Sequence, residues 1–260
     1  MLPVDMREGV QSRLYDAGDF RYHELFESSP LHFAPGMTMK LMQGDRISDS
    51  IALNGAYDAP FSRWLAQVAR RDGGLFVDVG ANLGYYSLLW CSQNESNRVV
   101  AFEVAPEVLE LLRHNVVING LEHRIDVRPV AVGAIRGQMN FDIGPVGQTA
   151  WGGFKCHDSS ATIKVDVVTL DESLEDREIT LLKTNIQGAD AWAIQGAERI
   201  LRSRQVRRLR WEENKPRMKQ LGIPPNLPKE LLEKYGYVEV GRQRDSDIVN
   251  RHAIPKEMKT

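Results

Sequence analysis

Two carboxylates around a glycine turn are the first residues in this chain whose types and spacing suggest chemistry. Asp78 lies near the end of the apolar run Leu75 to Val79, directly before a turn with glycines at Gly80 and Gly84. Glu103 closes a second apolar run that starts at Arg98. It falls about twenty residues past the turn, where doubly wound α/β folds set an acid on ribose hydroxyls. Glycine lets the backbone approach a ligand closely, and a helix N-terminus offers it unpaired N–H groups. A dinucleotide site would carry G-x-G-x-x-G at this turn. The third glycine is missing here, and a carboxylate at Asp78 would repel a pyrophosphate. The pair suits a cationic ligand with ribose hydroxyls, an amine and a sulfonium, as in S-adenosylmethionine. A turn-capping Asp78 and a solvated strand-end Glu103 are the plainer alternatives.

The elements that must position these acids are legible around them. Leu75 to Val79 has strand length, and Tyr85 to Cys91 has helical character. Arg98 to Glu103 reads as a second strand. Pro106 stands as a first helical residue before a stripe of Leu109, Leu112, Val116 and Val117, and Gly120 closes that helix. A third strand is expected over Ile125 to Ala131. Gln138 to Ile143 and the alternating Thr162 to Val167 read as two strands of a hairpin. Ile179 to Ile186 is expected as the next strand, followed by a helix opened at Gly188. Val206, Leu209 and Trp211 mark a fifth strand. Leu231 to Tyr235 reads as a short helix, and the segments around Tyr237 to Val240 and Asp247 to Val249 as a final antiparallel pair.

At 260 residues, 42% hydrophobic and 26% charged, the chain fits one large globular α/β domain or two small ones. A net charge of −2 argues against a nucleic-acid partner. Two cysteines make no disulfide framework, and no Cys/His cluster points to a metal. The opening residues lack a signal-peptide pattern and no apolar run reaches membrane-spanning length, so no membrane partner and a reducing cytoplasm are expected.

Several stretches together resemble the FkbM-type family of S-adenosylmethionine-dependent methyltransferases. They are Phe76 to Ser87, Val100 to Glu107, Leu111 to Asn115 with Asn119 and Gly120, Val130 to Gly133, Val167 to Asp171, and Leu182 to Asp190. They occur in the family's order over roughly residues 45 to 213. The resemblance implies a class I methyltransferase fold: a Rossmann-like, doubly wound, mostly parallel seven-stranded sheet with an antiparallel last strand. It implies S-adenosylmethionine as cofactor, bound by Tyr57, Asp78, Gly80, Ala81, Asn82, Gly84, Tyr85, Ser87, Glu103, Val104, Val130, Ala131 and Asn185. Asp58 and Asp126 are weaker additions to that pocket. It further implies catalysis near Lys183, Asn185, Gln187 and Asp190, with no metal assigned, and a small-molecule oxygen acceptor such as a sugar or secondary metabolite. The family usually has aspartate where Asn185 stands and glutamate where Asp190 stands. Asparagine cannot act as a base, so Asp190 becomes a candidate for the proton, or else a plain first-turn acid favoured by the helix dipole. Lys183 is expected to orient or neutralise.

The domain is expected over 56–255, with residues 1–55 as an arm and cap. Leu31 to Gly55 reads as strand-like. Tyr15, Phe20, Tyr22, Leu25 and Phe26 suggest a short packed helix or a mobile arm. Trp151 and His157, in the glycine-rich loop, are expected on the substrate side. Arg202, Arg204, Arg207, Arg208 and Arg210 read as a solvated face or as an anion patch, and Glu212 or Glu213 as a neighbour of the acceptor. N-methylation of a small amine, and a non-catalytic S-adenosylmethionine-binding protein, stand as alternatives to O-methylation.

Overall fold

The structure, a computed structural model, describes residues 20–144, 149, 152–154, 162–174, 176–245 and 247–259. Tyr15, Trp151 and His157 lie outside the described residues.

The chain enters through α1 (Phe20–Glu27), whose Phe26 is buried in the main core, so the packed-helix reading holds for that segment. Two short strands, β1 (Ser29–Pro30) and β2 (Thr38–Met39), pair antiparallel. The segment expected to be strand-like then becomes helix α2 (Arg46–Asn54). Its ends explain the difference. Asp45 caps the N-terminus by accepting from Ser48 N, and Gly55 closes the C-terminus with φ 66°. These cap signals outweigh a loose alternation of apolar residues. Helix α3 (Ala59–Arg71) is capped by Asp58, which accepts from Phe61 N. It buries Phe61, Leu65, Val68 and Ala69 on one face.

The next elements form the sheet's first half: β3 (Leu75–Val79), α4 (Tyr85–Ser92), β4 (Arg98–Phe102), α5 (Pro106–Ile118) and β5 (Ile125–Arg128). Every residue of β3 is buried, as a central parallel strand requires. Strand β5 stops at Arg128, earlier than expected. Ala131–Val132 forms a separate strand, β6, in a second sheet. That sheet also contains β7 (Gly137–Asp142), β8 (Gly153–Phe154) and β9 (Thr162–Val168), in the order β6-β9-β7-β8. Strands β7 and β9 are the expected hairpin, paired antiparallel from Gly137 opposite Val167 to Asp142 opposite Thr162.

After the short helix α6 (Leu170–Ser173), β10 (Leu181–Thr184) returns to the main sheet. Helices α7 (Asp190–Gln195) and α8 (Glu198–Arg202) follow, then β11 (Leu209–Asn214), α9 (Lys215–Gln220) and α10 (Leu227–Lys234). Strands β12 (Tyr237–Asp245) and β13 (Ile248–Pro255) finish the sheet. The seven strands lie in the order β12-β13-β11-β10-β3-β4-β5. β13 is antiparallel to β11 and β12, whereas β11, β10, β3, β4 and β5 pair in parallel. This is the class I methyltransferase order expected from the sequence. The order reverses beside β3, so the crevice for a ligand opens at the C-terminal ends of β3 and its neighbours.

Candidate active site

Parallel register sets the first contact. Lys183 of β10 lies opposite Asp78 of β3. Its Nζ donates to Asp78 Oδ1 at 2.8 Å, to Gly80 O at 2.7 Å and to Val79 O at 3.4 Å. Ser87 Oγ donates to Asp78 Oδ2 at 2.9 Å. Asp78 has no exposed surface. Its charge is therefore used inside the protein, on Lys183, and does not face a ligand. The choice between cationic ligand and pyrophosphate cannot rest on it, because tertiary pairing neutralises the acid that the linear sequence leaves bare.

Gly80 brings the next two elements together. A Cβ at this position would stand 2.1 Å from Asn185 O, and φ is +72°. Only glycine allows the turn after β3 to press against the end of β10. The same turn is fastened to β4 through Glu103. Glu103 Oε2 accepts from Asn82 N at 2.9 Å, and Oε1 accepts from Val104 N and Ala105 N at 2.8 and 3.0 Å. Burial pushes the Glu103 carboxyl up, and these three N–H donors and the Lys183 charge oppose that rise.

A cavity of about 680 Å³ opens above these loops. That volume suits a small-molecule site. It is lined by Gly80, Ala81, Asn82, Glu103, Val104, Val130 and Ala131, and by Tyr57, Tyr85, Lys183, Asn185 and Gln187. Thus most of the expected cofactor and catalytic residues converge. Asp78, Gly84, Ser87, Asp190, Asp58 and Asp126 do not border it. Gly84 gives room to Leu112, whose Cδ1 would be 2.6 Å from an added Cβ. Asp58 caps α3 and pairs with Arg210 at 2.9 Å. Asp126 is exposed and bonds Arg128. Asp190 is fully buried: Oδ1 accepts from Thr184 Oγ1 at 2.7 Å and from Glu212 N at 3.2 Å, and Oδ2 from Ile186 N at 3.3 Å. It holds the β10–α7 loop to β11 and presents no surface to an acceptor.

Of Asp78, Asp190, Glu212 and Glu213, only Glu212 borders the cavity. It is 7% exposed, and its Oε1 has no hydrogen-bond partner among the described residues. Burial pushes its carboxyl up to about 7, reinforced by Asp190; Lys183, Arg210 and the Asn185 amide oppose the rise. Glu213, the neighbouring candidate, instead pairs with Arg251 at 2.8 Å. The arginines of this region are also engaged: Arg202 with Glu198, Arg204 with Glu257, Arg207 with Glu178, Arg208 with Asp72 and Arg210 with Asp58. Each of the five is paired with a carboxylate, and Arg210 is buried, so they do not form an open anion patch.

Two ties roof the cavity. Thr149 N and Oγ1 both donate to Asp45 Oδ1, at 2.9 and 3.0 Å. Arg217 Nη2 donates to Phe154 O at 3.0 Å. Asn214 and Arg217 also line the cavity, and Asn214 Nδ2 donates to Gln187 Oε1 at 3.0 Å. Neither was expected from the sequence. The signal available was Asn214 one residue before Lys215-Pro216, a cap followed by a helix-starting proline.

Among the described residues, no group of three or more His, Cys, Asp or Glu side chains is arranged to hold a metal ion, and no helix is long and apolar enough to cross a membrane. No curated protein matches the chain. Solved structures of similar shape include the methyltransferase FkbM from Methylobacillus flagellatus KT, at 16% identity and TM-score 0.48. That alignment covers 79% of this chain but only 52% of the other, so the chain spans about half its length. A precorrin-6y C5,15-methyltransferase from Geobacter metallireducens GS-15 aligns over 75% of this chain and 87% of its own, at 12% identity and TM-score 0.44. A tRNA methyltransferase from B. subtilis aligns over 75% and 64%, at 13% identity and TM-score 0.45. The sequence pattern of the methyltransferase FkbM domain matches residues 78–239, from the buried acid of β3 to β12 and so through the turn, the cavity walls and Glu212. With that match over more than half its length, the chain belongs to the FkbM methyltransferase family.

Proposed function

We propose that the protein is an S-adenosylmethionine-dependent methyltransferase acting on a hydroxyl of a small molecule, with residues 56–255 as its catalytic domain and 1–55 as an arm and cap. The observation that carries this reading is Glu103, fixed by three backbone N–H groups in the lining of a cavity that Asn185 and Glu212 also line. The residues present fit the cofactor. Glu103 has lone pairs left for ribose hydroxyls, Val104, Val130 and Ala131 offer an apolar wall for adenine, and Gly80 to Asn82 bring backbone close to the rest. When bound, S-adenosylmethionine supplies an already activated methyl group. The chain's own work is then to orient the acceptor, exclude water and receive a proton. Lys183 holds the glycine turn through Gly80 O and leaves none of its three N–H donors for the acceptor. The roof made by Asp45–Thr149 and Arg217–Phe154 favours an acceptor small enough to be enclosed. From the cap segment, Asp45, Arg46, Ile47, Ser50 and Ile51 contribute to the cavity wall, which supports its assignment as a cap.

Calorimetric titration of S-adenosylmethionine, and separately of NADH, into wild type and Glu103→Ala tests the reading. Saturable binding of S-adenosylmethionine that weakens at least tenfold in the variant is the expected result. Binding of NADH in its place would refute it. Screening hydroxyl and amine acceptors for conversion of the bound cofactor then separates O- from N-methylation and from a protein that only binds.

A further inference from the structure

Asn185 leaves the proton of a hydroxyl acceptor without a taker at the strand end where the family usually has aspartate. Asp190 does not replace it, since both its oxygens accept internal hydrogen bonds and it has no exposed surface. Tyr57 borders the cavity, but burial and the charges of Asp58 and Glu212 push its phenol up to about 12, so it stays protonated near neutral pH.

Glu212 has the required placement. The register sets Lys183 opposite Arg210, and two residues further along, the same register brings Asn185 beside Glu212. The sheet order puts β10 and β3 between β11 and β4. Glu212 therefore stands three strand spacings, roughly 14 Å, from Glu103 at the ribose end. That is the far side of the cavity, where an acceptor has room. One of its oxygens, Oε1, is buried without a partner. A buried carboxylate oxygen left unsatisfied is costly, and such costs are retained where a group must bond something that comes and goes.

We propose that Glu212 is the catalytic base, taking the proton of the methyl acceptor's hydroxyl on Oε1. This rests on the S-adenosylmethionine reading above. A lone pair of the acceptor oxygen forms the new carbon–oxygen bond, the electron pair of the broken carbon–sulfur bond returns to sulfur, and the hydroxyl proton passes to Glu212. The products are a methyl ether, S-adenosylhomocysteine and a protonated carboxyl, which loses its proton to solvent when the site opens.

The test needs no known acceptor. Sinefungin carries an ammonium-bearing carbon where S-adenosylmethionine has its sulfonium and methyl. S-adenosylhomocysteine lacks both charge and methyl. Their affinity ratio, measured by calorimetry, reads whether a carboxylate faces the position of transfer. Wild type is expected to prefer sinefungin, and Glu212→Gln to lose roughly tenfold or more of that preference with S-adenosylhomocysteine affinity unchanged. Glu212→Asp, which keeps a carboxylate on a shorter arm, should retain part of it. On the wild type alone, the preference should rise as pH passes through about 7, where Glu212 ionises against Asp190, Lys183, Arg210 and Tyr57 around it. Contributions of Glu103 cancel in the ratio, because both nucleosides meet it alike. A wild-type preference that is flat with pH, or a ratio unchanged in Glu212→Gln, overturns the assignment while leaving the cofactor reading intact. Failure of wild type to bind either nucleoside overturns both.

Discussion

Replacing Lys183 with methionine should be among the most damaging single changes in this protein. Lys183 and Asp78 have side-chain exposures of 5% and 0% and meet at 2.8 Å, so water screens the pair very little. At an effective dielectric of about 20, the attraction between charges at 2.8 Å is roughly 6 kcal/mol. Most of that offsets the desolvation of the two ions. What remains visible on removing one partner is the cost of a stranded buried charge, about 3–5 kcal/mol. Ser87 alone would be left to solvate Asp78. For a domain of this size, such a loss corresponds to a drop in Tm on the order of 10 °C. It also removes the bond to Gly80 O, so S-adenosylmethionine affinity should fall through loosening of the turn. The assay is urea unfolding of wild type, Lys183→Met, Asp78→Asn and the double variant. In the double variant no charge is stranded, so its loss should be clearly smaller than the sum of the two single losses. A Lys183→Met loss below about 1 kcal/mol, or additivity in the cycle, would refute the reasoning.

Gly80→Ala should fail to fold or lose more than about 2 kcal/mol, because the new Cβ would lie 2.1 Å from Asn185 O at φ +72°; soluble expression and thermal melting check this. Glu212→Gln should stabilise the protein above neutral pH. Glu212 is raised from 4.5 to about 7 in the folded state, so its stabilising contribution is full below 4.5 and is lost as pH climbs through 7. That rise is worth about 3 kcal/mol at pH 8, so melting of the variant should exceed wild type there and match it near pH 4. Asp45→Ala removes the cap of α2 and both bonds to Thr149; a loss of about 1–2 kcal/mol in urea, with faster proteolysis near residue 149, is expected.

The sequence by itself determined the fold, and its local motifs contain many of the residues that line the cavity. Short apolar runs such as Leu75 to Val79, broken only by Asp78, read as buried strands of a parallel sheet, and a proline start with a glycine stop bounds α5 whatever it packs against. These signals are local, so they survive in a linear reading. The strand-like reading of Leu31 to Gly55 failed where α2 formed, because it followed the loose apolar alternation and not the two caps inside the stretch, Asp45 and Gly55. Residues 131–132 also escaped, since a two-residue strand has no periodicity to read.

Only the tertiary structure decided which acids are free. In the sequence, Asp78, Asp190, Glu212 and Glu213 are four carboxylates near strand ends. Folded, Asp78 is neutralised from β10, Asp190 is consumed by the backbone of β11 and its own loop, and Glu213 is paired from β13. Glu212 alone of these four faces the cavity. The physical reason is that a buried charge is governed by partners its folded neighbours supply, up to 105 residues away in sequence, and no local pattern records them.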